Sequence, residues 1–507
     1  MPKRAAGTTP IELQVDRQAP EALDVQIAGQ LRHMIMRGTL GSGARLPSTR
    51  ALAKELAVAR NVVIAACAQL VAEGYLESRV GSGTRVAIAR PEGMLRVTPS
   101  RGRSSALIAA SLPAARQRPV RKAQLSFYAG AVAEFAPYVS LRNDRVLPFK
   151  VATPSLDDFP VAIWQKLWRR VNGGLTVKGL DYSSPAGLLA LRRAIAAHVR
   201  LSRGVHCDPG QVVVFNSAQQ SIDAVARSLV RPGDPVWLED PCYRGALVAF
   251  SAAQAKIVPV PVDSDGIDVG AGIRRASEAR LAYVTPSHQY PLAVTLSLAR
   301  RIQLLDWARR RNAYVLEDDY DCEFRFHERP IAALRSLDDQ QVIYLGTFSK
   351  SLFPGVRLAY LVLPQELVDT VLAVRHWSDG HAPAANQEVL ARFLEEGHFE
   401  RHLRRMLVLY RERHAALLAA AAKHWQGLLQ VVPGSGGMHT IGWLSAAAND
   451  RQVAIAAAAV DIDVLPISAF RLSRRLPPGL TLGFAPFRAR EINAAATRLA
   501  QVLIAVK

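Results

Sequence analysis

Lys350 closes the run Val342-Ile343-Tyr344-Leu345-Gly346-Thr347-Phe348-Ser349, and Arg357 follows seven residues later. A lysine after a β-branched run, flanked by Thr347 and Ser349, is a Schiff-base nucleophile when its amine is desolvated and neutral. A second apolar run, Tyr314-Val315-Leu316, leads into Glu317-Asp318-Asp319-Tyr320-Asp321. A carboxylate at such a strand end can hold a pyridinium nitrogen protonated. Asn216-Ser217-Ala218-Gln219-Gln220 lies between the strand-like Val212–Phe215 and a helix, and small residues at a helix N-terminus make an anion cradle. Tyr243 follows Val236-Trp237-Leu238, where an aromatic ring either stacks on a flat ligand or packs in the core. His288 stands in Thr285-Pro286-Ser287-His288-Gln289-Tyr290-Pro291, as a ligand neighbour or as a structural histidine. An aldehyde trap, an acidic partner for a ring nitrogen and a phosphate cup are together what pyridoxal phosphate requires.

These residues need strands that end side by side. From residue 146 onward helical patterns alternate with short β-branched runs, which predicts an α/β domain over 146–507. Gly434-Ser435-Gly436-Gly437-Met438-His439 looks like a phosphate loop but lacks the Lys-Ser/Thr pair, so it reads as a turn into a smaller sheet. Residues 89–145 carry Arg96, Arg101, Arg103, Arg116, Arg118, Arg121 and Lys122 with weak periodicity, and read as a basic linker.

Residues 20–88 have a different texture. Leu23, Ile27, Leu31 and Met34 mark a helix over about 22–37. Ser48 caps a second helix bearing Leu52 and Leu56, and a third runs from about Arg60 to Gly74 with Val62, Ala66 and Leu70 inward. Tyr75–Val80, Gly81-Ser82-Gly83 and Thr84–Ala87 form a hairpin pattern. That order is a winged helix-turn-helix of α+β class, with the third helix in the major groove and the hairpin as wing. Ser48 and Thr49 can hold a phosphate, while Arg50, Arg60 and Asn61 face phosphate or base edges. Arg79, Gly81, Ser82, Gly83 and Thr84 can grip the backbone. Lys and Arg number 63 against 43 Asp and Glu, a net charge of +20, which points to a polyanionic partner or to a merely solvated basic surface; the placement of these residues on the winged-helix pattern selects double-stranded DNA.

The N-terminal segment resembles the GntR family of DNA-binding domains through Gly43–Arg50, Ala57–Asn61, Leu70 with Glu73–Leu76, and Gly81–Thr84. Ala59 stands where that family usually has a capping Ser or Thr. The larger segment resembles fold-type I aminotransferases, and the whole chain resembles the MocR-type regulators, in which the two are fused. Thr285–Pro291, Glu317–Arg325 and Gly346–Lys350 carry that resemblance. It implies a pyridoxal-phosphate-dependent transferase-like fold in which Lys350 forms the internal aldimine, Asp318 pairs with the ring nitrogen and Tyr320 bonds the ring's phenolic oxygen. Tyr243 would stack, His288 would lie near the ring, and Ala218, Gln219, Thr347 and Arg357 would hold the phosphate. Ser217 replaces a usual Gly, and Leu292-Ala293 a usual Thr-Gly. Arg471, Arg474, Arg475 and Arg488 are all candidates for gripping an effector carboxylate.

The four cysteines form no C-x-x-C pair, no charge-free apolar run of about 18 residues occurs, and no h-region follows Met1-Pro2-Lys3-Arg4. A reduced cytoplasmic protein away from membranes, with no metal site, is expected. The leading reading is a homodimeric, promoter-binding transcription regulator that senses pyridoxal phosphate or a small amino compound. The alternatives are an active aminotransferase, complete or partial, with an accessory DNA-binding domain, and a DNA-binding module that no longer holds cofactor.

Overall fold

The computed structural model describes residues 11–506 apart from 12, 20, 80–82, 88–128, 131–145, 175, 327–331 and 474. It forms two compact units, Met1–Val120 and Arg121–Lys507. The expected linker, 89–145, lies outside the described residues except for Ala129 and Gly130.

In the smaller unit, helices α1 (Leu23–Met36), α2 (Thr49–Glu55) and α3 (Arg60–Ala72) precede an antiparallel hairpin of β1 (Leu76–Arg79) and β2 (Gly83–Val86). The core takes Ile27, Ala28, Leu31 and Ile35 from α1, and Val63, Ala66, Cys67 and Leu70 from α3. The expected inward row Val62-Ala66-Leu70 is corrected here: Val62 is half-buried, and Val63 and Cys67 fill the core. A four-residue row drifts around a helix of 3.6 residues per turn, whereas 63, 66, 67 and 70 make one stripe. Ser48 caps α2, its Oγ accepting from the Ala51 N–H at 3.2 Å. Ala59 offers α3 no side-chain cap, which typically costs about 1 kcal/mol.

The larger unit is built on an eight-stranded sheet of order β3-β10-β9-β8-β7-β4-β5-β6. Its strands are β3 (Val212–Phe215), β4 (Pro235–Asp240), β5 (Lys256–Asp263), β6 (Gly266–Ile267), β7 (Leu281–Val284), β8 (Tyr314–Asp318), β9 (Val342–Thr347) and β10 (Ala359–Val362). From β9 through β8, β7 and β4 to β5 the pairing is parallel. β10 is antiparallel to both β3 and β9, so β3 points the same way as β9. Helices cover both faces. Leu281, Tyr283, Leu316 and Leu345 pack on one side with Ile222, Val225 and Val371. Ala282, Val284 and Val315 pack on the other with Leu304, Leu305 and Trp307. Strands buried on both faces must be apolar at successive positions, which is why they read as continuous runs.

A smaller antiparallel sheet, of order β11-β12-β14-β13, comprises β11 (Gln430–Val431), β12 (His439–Trp443), β13 (Leu465–Pro466) and β14 (Gly479–Gly483). It shares a core with the helices His398–His424 and Ala489–Ala505, through Met406, Trp425, Leu480, Leu482 and Leu499. The glycine-rich run 434–439 leads into β12, as a turn. Among the described residues no helix is long and apolar enough to cross a membrane.

Candidate functional site

The five runs marked out by sequence all end at the carboxyl edge of the large sheet: β3 at Asn216–Gln219, β4 before Tyr243, β7 before Thr285, β8 at Asp318 and β9 before Lys350. Ligands of open α/β sheets bind at that edge. Lys350 sits in the short helix Phe348–Ser351 and donates from Nζ to the Ala152 carbonyl at 2.8 Å. Desolvation pulls its pKa below the ordinary lysine value, and the anions Asp321 and Asp318 pull the other way. Gly346 lets β9 approach the Tyr360 ring, which would lie 2.3 Å from a Cβ there.

Asp318 is buried, and its Oδ2 accepts from the Tyr283 hydroxyl at 2.6 Å. Tyr283 pairs with Leu316 across β7 and β8, so it shares a face with Asp318 two residues on. Burial pushes the Asp318 carboxyl up to about 7, and Asp319 adds to this, against the Tyr283 bond and Lys350. Its Oδ1 is buried without a hydrogen-bond partner. Asp319 differs. It meets Arg203 Nε at 2.7 Å and accepts from the Tyr344 hydroxyl at 2.8 Å. Both acids have a buried Oδ1 without a hydrogen-bond partner, but Asp319 is ion-paired with Arg203 whereas Asp318 lies beside Lys350, so the residues present fit a pyridinium group at Asp318.

The helix Ala218–Leu229 starts at the cradle. Ser217, in place of Gly, is extended and caps it, its Oγ accepting from the Gln220 N–H at 3.1 Å. Gln219 donates to the Gly245 carbonyl at 2.8 Å and accepts from the Tyr243 hydroxyl at 3.3 Å. Thr347 Oγ1 accepts from the Ser349 N–H at 3.3 Å. Arg357 is exposed, with a left-handed φ of 51°. The Leu292-Ala293 departure has a local consequence: Ala293 takes φ 58°, a region that costs a non-glycine residue roughly 1–2 kcal/mol.

Around His288 and Tyr320, which the sequence reading places at the cofactor ring, stand residues to which it assigns no role. His288 Nδ1 lies 3.1 Å from both the Tyr320 hydroxyl and Asp321 Oδ2. Tyr290 stands edge-on to Tyr243, Tyr320, His439 and Phe470, at centroid distances of 6.1, 6.0, 5.5 and 5.3 Å. His288, Asp321 and His439 each offer one ligand atom within 4.8 Å of the others. Asp240, the last residue of β4, accepts from the N–H groups of Leu472 and Ser473 at 2.8 and 2.9 Å, and from Ser473 Oγ at 2.8 Å. The Cys242 N–H donates to Phe470 nearby. Arg471, Arg475 and Arg488 are exposed, and Arg474 lies outside the described residues.

In the smaller unit Ser48, Arg50, Arg60 and Asn61 are exposed and Thr49 is half-buried. Arg60 Nε donates to Thr49 Oγ1 at 3.4 Å, which joins the starts of α2 and α3. Gly83, with φ 81°, and Thr84 open β2. Gly81, Ser82 and the Arg79 side chain lie outside the described residues.

The family of bacterial regulatory proteins, gntR family, matches residues 23–86, and aminotransferase class I and II matches residues 160–499. The chain is 37% identical to the probable rhizopine catabolism regulatory protein MocR of Rhizobium meliloti, over 93% of this chain and 92% of the relative. It is 29% identical to the pyridoxine biosynthesis transcriptional regulator PdxR of Corynebacterium glutamicum, over 83% of each. The α-aminoadipate aminotransferase LysN of Thermus thermophilus, solved with N-(5'-phosphopyridoxyl)-L-leucine, superposes with a TM-score of 0.68 at 27% identity, covering 75% of this chain and 97% of that one. A GntR-type DNA-binding domain thus precedes a fold-type I, pyridoxal-phosphate-type domain, and the chain belongs to the MocR-type transcription regulators of the GntR family.

Proposed function

We propose that this regulator holds pyridoxal phosphate at Lys350, senses a small amino compound there, and alters the grip of a cytoplasmic homodimer on promoter DNA. The observation that carries this reading is a desolvated amine, Lys350, beside a buried carboxyl, Asp318, whose Oδ1 is unpartnered. Pyridoxal phosphate supplies, when bound, an aldehyde for amines and a ring that withdraws electrons while its nitrogen is protonated. Asp318 keeps the proton on that nitrogen, and Tyr283 orients Asp318. Tyr320 would hydrogen-bond the phenolic oxygen, Tyr243 would stack on the ring, and His288 would lie near it. Ala218, Gln219, Thr347 and Arg357 would hold the phosphate. A dimer fits paired DNA half-sites. An effector acts only through its differential affinity for two states of that dimer. Binding of the purified protein to a fragment of its own promoter, with and without cofactor and a panel of amines and amino acids, is the direct test. Unchanged affinity across the panel would sink the sensor role.

Asp318→Asn is expected to leave cofactor binding within about tenfold and to slow proton-dependent half-transamination about 10²-fold or more. A neutral amide cannot keep the ring nitrogen charged. Single-turnover rates with an amino-acid panel check this, and equal rates in a reactive protein refute the role.

Arg50→Ala and Arg60→Ala are expected to weaken DNA binding without changing the cofactor's absorbance. A lost phosphate contact flattens the slope of log affinity against log salt by about one unit, whereas a lost bidentate guanine contact costs about 1–3 kcal/mol at one base. Arg50 follows a capped helix start and Arg60 an uncapped one, so Arg50→Ala is the costlier change. A salt series on the promoter fragment decides, and wild-type slopes in both variants refute the contact assignment.

A further inference from the structure

The contact between His288 and Asp321 has no task in the reading above. Both side chains are buried, at 5% and 2% exposure. Carboxylate oxygens accept hydrogen bonds, so the 3.1 Å contact with Asp321 Oδ2 favours the tautomer with the hydrogen on Nδ1 and the lone pair on Nε2. Nε2 is buried and has no hydrogen-bond partner. The same tautomer leaves the Tyr320 hydroxyl free to donate away from His288.

The ring is fixed on more than one side. Gly437 packs on its face with φ 78°, and a Cβ there would lie 2.3 Å from Cε1 and 2.8 Å from Nε2. The Gly437 N–H donates to the Phe324 carbonyl at 2.7 Å, which anchors the glycine-rich run at that spot. His439 meets the ring edge-on, with centroids 5.0 Å apart, and its own Nε2 lies 3.2 Å from the Pro291 carbonyl. Burial and the adjacent His288 push His439 down to about 4, so it stays neutral and does not compete for protons. The Tyr320 hydroxyl lies 3.1 Å from Nδ1, and Lys350 lies within electrostatic reach of two groups that touch the ring, Asp321 and His439. An imidazole with a carboxylate on one nitrogen and a buried, unpartnered second nitrogen has the arrangement of the base-and-orienter half of a catalytic triad. The nucleophile at this edge is an amine.

We propose that His288, oriented by Asp321, is the base that removes the proton from an ammonium group before its nitrogen attacks the aldehyde carbon at this site. The proposal rests on the reading of Lys350 as the cofactor lysine. The N–H bond of the ammonium breaks and an Nε2–H bond forms, while the electron pair stays on the amine nitrogen. Asp321 balances the imidazolium charge. When cofactor first enters, the ammonium is that of Lys350 itself; the aldehyde oxygen leaves as water and the proton held on Nε2 passes to solvent. When an effector amine displaces Lys350, the proton taken from the effector returns to the departing lysine nitrogen, and the dyad ends as it began.

The test mixes cofactor-free, full-length protein with pyridoxal phosphate and follows the rate of capture by visible absorbance, from about pH 6 to about pH 9. His288→Gln, which keeps a hydrogen bond but cannot take the proton, is expected to slow capture about 10²-fold near neutrality, with the gap closing as pH rises. Asp321→Asn gives a smaller loss of the same shape, because it disturbs only the orientation. Free imidazole restores the rate of His288→Ala, which a purely structural role would not allow. A His288→Gln profile parallel to the wild type, or no rescue by imidazole, overturns the proposal. So does stoichiometric zinc on His288, Asp321 and His439 in the purified protein, because a metal would occupy the lone pair. A wild type that never captures cofactor at Lys350 overturns the underlying reading. Normal capture with an indifferent variant overturns this inference alone.

Discussion

Replacing Lys350 by alanine is expected to abolish covalent capture of pyridoxal phosphate completely while the DNA-binding unit stays folded. Without the amine no covalent bond to the aldehyde can form. Polar contacts at Asp318 and the 216–219 cradle would still bind the cofactor loosely. Borohydride reduction of the wild type followed by peptide mapping should place the label on Lys350, and a label on any other lysine refutes the assignment. The two units are separately compact, so Lys350→Ala should bind promoter DNA with wild-type affinity in the absence of amines. It should lose any response to an amine. A variant that still responds would mean that the sensed compound binds elsewhere.

The second large effect belongs to the neighbouring pair. Asp319→Ala strips the buried Arg203 guanidinium of its anionic partner and is expected to destabilise the larger unit by about 3–5 kcal/mol. Asp319 and Arg203 are 0% and 3% exposed, so water cannot substitute for the lost charge. All seven tryptophans, from Trp164 to Trp443, lie in that unit, so their fluorescence during urea titration reports on it alone. The double variant Arg203→Met/Asp319→Leu should recover much of the loss, because an apolar pair of similar volume avoids the desolvation cost. Asp318→Asn, one residue earlier, should cost far less, since Asp318 accepts from the neutral Tyr283 hydroxyl and its loss leaves no buried guanidinium without an anion. Equal losses at 318 and 319 would erase the distinction between the structural and the functional acid.

The order of elements was legible because periodicity and punctuation are local. Gly38, Gly41, Pro47, Ser48 and Gly81–Gly83 bracket the winged helix, and each strand bearing a site residue is an apolar run with a polar end. The α3 core face was misjudged by one residue because Val62 and Val63 are both apolar, and only packing separates them. At the site, sequence identified residues that announce themselves at strand ends. It assigned no role to those defined by a neighbour. Tyr283 lies 35 positions from Asp318, and the two meet only through the register of β7 on β8. Gly437 and His439 read as part of a turn, and the turn is there. Their contact with His288 depends on how the smaller sheet's entry lies against the β7 loop, which no local pattern encodes.

Asp240 gives the end of β4 a different kind of significance. Hydrogen bonds to a charged group are worth about 1.5–3 kcal/mol each, and this carboxylate gathers three of them from Leu472 and Ser473. The stretch from Phe470 to Ser473 is thereby tied to the carboxyl end of β4, and amide exchange at Leu472 and Ser473 is expected to be slow; replacing Asp240 by alanine should speed it.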